Sequence, residues 1–124
     1  MNSESEGQRV LVIDDDVDCA DTVGMVLRRL GAEVRVAYSG AAGLELCQSF
    51  KPELVFLDIG MPQMDGYATV KALRAQCGGA RPLRIVALTG WGQAEDQERT
   101  LAAGFDHHLV KPADLSDLQD ILRG

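Results

Sequence analysis

The sequence has few basic residues and no long apolar run. Among its 124 residues, 12 Lys and Arg stand against 19 Asp and Glu, which gives a net charge of -7. A duplex-binding surface needs a basic stripe that displaces counterions, so direct nucleic acid binding is not expected. No apolar run approaches the roughly 20 residues that cross a bilayer, and residues 1–7 lack the features of a secretory signal. We therefore expect a cytoplasmic protein with no membrane partner and with a disordered tail over residues 1–7.

Cysteine is also scarce. Only Cys19, Cys47 and Cys77 occur, and an odd number without close pairs argues against a disulfide framework or a zinc site. We expect all three thiols to be reduced. The length and the hydrophobic content of 46% suit one small domain, which we place at residues 8–124.

What the sequence does contain is a regular alternation of apolar runs and helical patterns. Helical spacing of apolar residues follows each run, although the signal between Gln93 and Ala103 is weaker. The alternation predicts an α/β fold, a doubly wound parallel sheet of five strands with five helices. The predicted strands are Arg9–Ile13, Glu33–Ala37, Leu54–Leu57, Arg84–Leu88 and His107–Val110.

Polar residues stand at the carboxyl ends of four predicted strands. Asp14 and Asp15 follow the first strand, Asp58 the third, Thr89 the fourth and Lys111 the fifth. Ligands of open parallel sheets bind at this edge. Clustered carboxylates without His or Cys suit a hard cation, and Mg2+ is the first candidate, with Mn2+ the second. A lysine beside them would balance charge or bind a transferred phosphoryl group, and a carboxylate is a known phosphoryl acceptor.

Each of these residues also has an ordinary interpretation. An acidic run is commonly a solvated surface or the start of a helix, which is how we interpret Asp16, Asp18 and Asp21. A threonine at a strand end is commonly a cap, and a lysine before a proline is commonly on the surface. An EF-hand loop is excluded, because Cys19 stands where that loop needs Gly and Met25 where it needs Glu. Only the joint placement at four strand ends favours a site.

The segment from Asp58 to Gly66 has the pattern Asp-x-x-Met-Pro-x-Met-Asp-Gly. With three further segments, the sequence resembles the receiver domain of two-component response regulators, from about Gln8 to Arg123. The resemblance implies a flavodoxin-like fold with strand order 2-1-3-4-5. The further segments are Val10–Asp15, Ala87–Gly90 and Gly104–Pro112.

The resemblance also implies roles for the acidic residues. Asp58 matches the phosphoacceptor. Asp15 matches the direct Mg2+ ligand, together with Asp58 and the backbone carbonyl of Gly60, while Asp14 matches an acid that acts partly through water. The implied donor is a phosphohistidine on a histidine kinase or a histidine phosphotransfer domain. Such a domain is a signalling module and not an enzyme.

The remaining roles concern the conformational switch by which such a domain responds to phosphorylation. Lys111 matches the lysine that contacts phosphoryl oxygens, and its bond to Pro112 is commonly cis in that family. Thr89 matches the hydroxyl that swings toward the phosphoryl group. The resemblance further implies an output surface, and a homodimer contact, formed by the helix predicted over residues 93–103, the fifth strand and the last helix.

Three positions depart from the family pattern. His108 stands where Tyr or Phe is usual, so it is either part of the switch or a residue on an exposed strand edge, while His107 is expected to be structural or exposed. Gly60 and Trp91 occupy positions that influence hydrolysis of the aspartyl phosphate. Since Gly60 cannot orient a water and Trp91 can cover the site, we expect slow dephosphorylation. The alternative for Trp91 is a surface aromatic residue that contacts a partner.

Three other functions compete with this one. A Mg2+-dependent phosphatase would need an acid at Gly60, and a flavodoxin-like redox domain would need a phosphate-binding loop where the acids after the first strand stand. A docking module that is never phosphorylated would not need the site residues.

The segment His107–Pro112 also resembles receivers at the C-terminal ends of hybrid sensor histidine kinases, which implies that the chain is a fragment of such a kinase.

Overall fold

The computed structural model describes residues 7–59, 66–77, 83–89, 104–111 and 113–123. In this part of the chain, five strands and four helices alternate, and the helix predicted over residues 93–103 lies outside it. No helix described here has the length and apolar character that a bilayer crossing requires. The elements are β1 (Arg9–Ile13), α1 (Val17–Arg29), β2 (Glu33–Ala37), α2 (Gly40–Phe50), β3 (Leu54–Asp58), α3 (Gly66–Cys77), β4 (Arg84–Thr89), β5 (His107–Val110) and α4 (Leu115–Arg123).

The sheet is parallel throughout and has the order β2-β1-β3-β4-β5, which confirms the predicted fold. Side chains alternate between its two faces, so each strand contributes to two separate cores. The first core lies between the sheet and the helices α1 and α4, and the second lies between the sheet and the helices α2 and α3. Of the strand residues, the first core holds Val10, Val12, Val34, Leu54, Phe56, Val86 and Leu88, and the second holds Leu11, Ile13, Ala37, Val55, Leu57, Ile85 and Ala87.

Helix starts and ends follow local rules. Asp16, Ser39 and Asp114 each accept a hydrogen bond from the backbone N–H three residues later, at 3.2, 3.1 and 2.9 Å. These bonds satisfy N–H groups that the first turn leaves open, so all three residues are N-caps. After α1, Gly31 takes the left-handed conformation at φ 101°, which costs glycine little. After α2, Lys51 takes the same conformation at φ 55° despite its Cβ.

Helix α2 packs closely on β1. A Cβ added to Gly43 would lie 2.7 Å from Cγ1 of the fully buried Ile13, so the contact requires glycine.

The cysteines differ from the expectation of three reduced thiols. Cys47, on α2, is 1% exposed and disulfide-bonded, whereas Cys19 is free. Spacing along the chain does not reveal such a bond, because tertiary packing decides which residues become neighbours.

An arginine anchors the start of β5. Arg74 on α3 donates from Nη2 to the carbonyl oxygen of Gly104 at 2.6 Å and to Oδ2 of Asp106 at 2.7 Å, and it also donates to the carbonyl of Leu83. Asp106 in turn accepts a hydrogen bond from the backbone N–H of Ile85 at 2.8 Å. The turn before β5 is thus tied to α3 and β4, which fixes where β5 begins.

Candidate functional site

The strand registers bring the predicted site residues to one edge of the sheet. Ile13 pairs with Leu57, so Asp14 and Asp58 are the next residues on neighbouring strands. Thr89 pairs with Val110, which places Lys111 one residue further along β5. Parallel strands end at a common edge, and the polar residue that ends each run therefore joins the same cluster.

Alternation along the strands divides these side chains between the two faces. Leu57 belongs to the core under α2 and α3, so Asp58 is directed to the opposite face, the side of α1 and α4. Continued by one residue, the same alternation directs Asp14 and Lys111 to that side. The ammonium Nζ of Lys111 lies 2.8 Å from Oδ2 of Asp14 and 3.3 Å from Oδ2 of Asp58. The lysine therefore bridges both carboxylates, as expected for a residue that balances charge there.

The bridge is buried enough to shift the pKa values of its members. Asp14 is fully buried, which raises its pKa, but hydrogen bonds from Lys111 and from the backbone N–H of Asp16 outweigh burial, and the net pKa lies below 3.8. Burial lowers the pKa of Lys111, but its hydrogen bond to Asp14 and the nearby charge of Asp58 raise it above 10.5 overall. Asp14 and Lys111 are therefore a charged pair at neutral pH.

Three carboxylates form a cluster that suits a divalent cation. Asp14, Asp15 and Asp58 each offer an oxygen, and these oxygens lie within 4.8 Å of one another. Asp15 is exposed, whereas the other two are buried, so the cluster opens to solvent on one side. An all-oxygen donor set with access to water is what hard divalent cations prefer. The residues present therefore fit a metal of this class.

The second side-chain contact at this edge joins Thr89 to His108. The hydroxyl Oγ1 of Thr89 lies 2.6 Å from Nε2 of the imidazole, and Thr89 is fully buried. The ring of His108 is half-buried and in contact with Thr89, so it does not lie free on an exposed strand edge, and its part in a switch stays a prediction. His107 is exposed, as expected.

One neighbour of the site was missed at the sequence level. Cys19, on the first turn of α1, is partly buried, which together with the nearby Asp14 carboxylate raises its pKa to about 11. Its thiol is therefore protonated at neutral pH and a poor nucleophile. The sequence signal that could have identified Cys19 was its position three residues after the N-cap Asp16. At this spacing the first turn of α1 directs the thiol toward the strand ends.

Three residues named in the sequence analysis, Gly60, Trp91 and Pro112, lie outside the described residues.

Comparisons with known proteins agree on one family. The response regulator receiver domain family matches residues 10–123. The chain is 36% identical over 118 residues to the transcriptional regulatory protein PrrA of Mycobacterium tuberculosis, covering 95% of this chain and 49% of that one. It thus spans about half the length of this relative and of other curated transcriptional regulators that it matches.

Solved structures show the same fold. A CheY-like receiver domain from Methylobacillus flagellatus superposes with a TM-score of 0.85 at 30% identity, over 95% of this chain and 98% of that one. A response regulator protein from Burkholderia pseudomallei, whose structure holds a phosphorylated aspartic acid, a calcium ion and citrate, superposes with a TM-score of 0.82 at 28% identity, over 93% and 66%.

Proposed function

The chain belongs to the response regulator receiver domain family, and from that premise we propose that Asp58 is the residue that accepts the phosphoryl group. The family consists of phosphoacceptor domains of two-component signalling and not of classical enzymes, and membership implies a cognate histidine kinase. The donor we propose is a phosphohistidine, on such a kinase or on a histidine phosphotransfer domain.

The observation that carries this proposal is the bridge between Asp58 and Lys111. The carboxylate of Asp58 lies at the end of the central strand β3, with the ammonium of Lys111 3.3 Å away. In the reaction, an oxygen of Asp58 attacks phosphorus, the P–N bond of the phosphohistidine breaks, and the imidazole leaves and takes up a proton. The positive charge of Lys111 then lies where negative charge on the phosphoryl oxygens needs compensation.

The cation that we propose for the acidic cluster is Mg2+, with Mn2+ as a substitute. Asp15 and Asp58 would hold it directly with the backbone carbonyl of Gly60, and Asp14 would act through water. When bound, such a cation supplies positive charge beside the phosphoryl oxygens. The support within the chain is the cluster of three carboxylates, whose oxygens require a compensating charge beyond the single lysine.

We further propose that Thr89 and His108 form the switch that reports phosphorylation. A phosphoryl group adds nearly two negative charges and new acceptor oxygens, so it attracts a hydroxyl at the adjoining strand end. The output surface would include β5 and α4, with a homodimer through the same surface as one use of it. A cytoplasmic location, the absence of direct nucleic acid contact and an origin in a hybrid histidine kinase stay predictions.

The competing functions have less support. A Mg2+-dependent phosphatase using Asp58 as a transient nucleophile lacks an acid at Gly60, and a flavodoxin-like binding domain would need a phosphate cradle where β1 is followed by acids. Turnover of a phosphomonoester, or a bound flavin after purification, would favour these alternatives.

The test is phosphorylation by a small donor. Incubation with Mg2+ and acetyl phosphate, followed by intact-mass measurement, should show the addition of one phosphoryl group to the wild type. Asp58→Ala should show none, and removal of Mg2+ by a chelator should suppress the reaction in the wild type.

A matched control is Asp18→Ala, which removes an exposed carboxylate of α1 that is not in the cluster. This variant should be phosphorylated as the wild type is. If the wild type gains no mass, even from a phosphorylated kinase, or if Asp58→Ala still gains it, the assignment of Asp58 is wrong.

A further inference from the structure

The contact between Thr89 and His108 follows from the geometry of the sheet. Ala87 pairs with His108 and Thr89 pairs with Val110, so Thr89 and His108 are diagonal neighbours on the same face. Side chains in this relation are within reach of each other when one of them is long, as an imidazole is. The 2.6 Å separation of Oγ1 and Nε2 therefore has a cause in the strand register.

The hydroxyl of Thr89 has one proton to donate, and two groups lie where they can accept it, the carbonyl of Leu109 and, in the tautomer that carries its proton on Nδ1, Nε2 of His108. Nε2 of His108 is at 2.6 Å and the carbonyl oxygen of Leu109 at 3.5 Å. Both acceptors are on β5, whereas Asp58 is on β3, and β4 runs between these two strands. The hydroxyl is thus engaged on the side away from the carboxylate that would carry the phosphoryl group.

We propose that His108 acts as a latch, a hydrogen-bond acceptor that holds the Thr89 hydroxyl on β5 while Asp58 is unmodified. The proposal rests on the proposed function, because the competing acceptor is a phosphoryl oxygen on Asp58. To donate to that oxygen, Thr89 must give up the bond to Nε2. His108 is therefore a positioning residue that stabilises the unphosphorylated form and makes the switched form less favourable.

This role differs from that of a Phe at this position, one of the two residues that the resemblance implies there. A phenyl ring fills space but has no conventional hydrogen-bond acceptor, so it cannot hold the hydroxyl. The net contribution of one such hydrogen bond corresponds to about a two- to tenfold change in an equilibrium constant. The carbonyl of Leu109 can replace part of the lost bond, which limits the effect to this range.

The experiment measures the affinity of the protein for beryllium trifluoride, a mimic of the phosphoryl group, by calorimetry in saturating Mg2+. His108→Phe should bind it about two- to tenfold more tightly than the wild type. His108→Gln, whose amide oxygen can accept from Thr89, should stay within about twofold of the wild type. Thr89→Val removes the hydroxyl that His108 is proposed to hold. In this background, His108→Phe should therefore leave the affinity for beryllium trifluoride unchanged.

The neighbouring His107→Phe is the matched control, because His107 is exposed on the same strand and its substitution should leave the affinity unchanged. In the wild type, the ring nitrogen resonances of His108, and not those of His107, should shift when the mimic binds. Unchanged or weaker binding by His108→Phe, or an equal gain in the Thr89→Val background, would overturn the latch alone. If the wild type neither binds the mimic nor takes phosphoryl from acetyl phosphate, the proposed function fails as well.

Discussion

Replacement of Lys111 by Met should destabilise the protein by an amount that depends on pH. The substitution keeps most of the side-chain volume and removes the ammonium that contacts Asp14 at 2.8 Å and Asp58 at 3.3 Å. Removing one member of a buried ion pair costs about 3–5 kcal/mol, because the remaining charge is left in a poorly solvated place. Lys111 is 24% exposed, and solvent screening reduces the expected loss at neutral pH to about 2–3 kcal/mol.

The pH dependence follows from the direction of the Asp14 shift. In the wild type, the pKa of Asp14 lies below its unfolded value of 3.8, so this group stabilises the fold above that pH and ceases to do so as the pH falls through the folded pKa. Without Lys111, burial raises the pKa of Asp14. The decrease in the free energy of unfolding caused by Lys111→Met should therefore be large at neutral pH and small in acid, where Asp14 is protonated in both proteins.

Urea denaturation in the presence of a chelator measures this difference across the acidic and neutral range. Lys71→Met is the control, since Lys71 is exposed on α3 and its loss should change the free energy of unfolding little. Mg2+ should restore more stability to Lys111→Met than it adds to the wild type. A loss below about 1 kcal/mol, or a loss that is equal at acidic and neutral pH, would refute the view of Lys111 as the charge partner of a buried carboxylate.

Three further substitutions test other features. Gly43→Ala should destabilise by about 1–3 kcal/mol in chemical denaturation, because the added Cβ would crowd the buried Ile13; unchanged stability would mean that α2 shifts freely on the sheet. Lys51→Gly should stabilise by about 0.5–1 kcal/mol, since glycine adopts φ 55° without strain, and a destabilised variant would contradict this. Trp91→Ala should shorten the lifetime of phosphorylated Asp58, followed by loss of the added mass, and an unchanged lifetime would exclude Trp91 as a shield.

The sequence predicted the edge at which the site lies because each of four predicted strands ends at a polar residue that can take part in a site. Asp14, Asp58, Thr89 and Lys111 all stand at such transitions, and a parallel sheet brings equivalent ends together. The order of the strands in the sheet could not be predicted from the apolar runs, because they do not encode which strands are neighbours. The predicted order came from the family resemblance, which the segment Asp58–Gly66 carries.

Contacts within the site were predicted less well. The sequence could not decide between two placements of His108, because alternation assigns a face but not the rotamer that brings Nε2 to Thr89. Lys111 was expected beside the acids, yet its nearer partner is Asp14, since a four-carbon stem reaches any carboxylate nearby. The expectation of a reduced thiol at Cys47 was wrong, because chain spacing contains no information on which helices pack together.

The anchor at the start of β5 has a consequence for how the sequence can vary. Arg74 contacts Gly104 and Leu83 through their backbone carbonyls, so those contacts make no demand on side-chain identity. Among the contacts of Arg74 with described residues, the ion pair with Asp106 is the one that requires a particular side chain. In an alignment of close homologues, we expect the residues at positions 74 and 106 to change together, while position 83 varies among apolar residues independently of both.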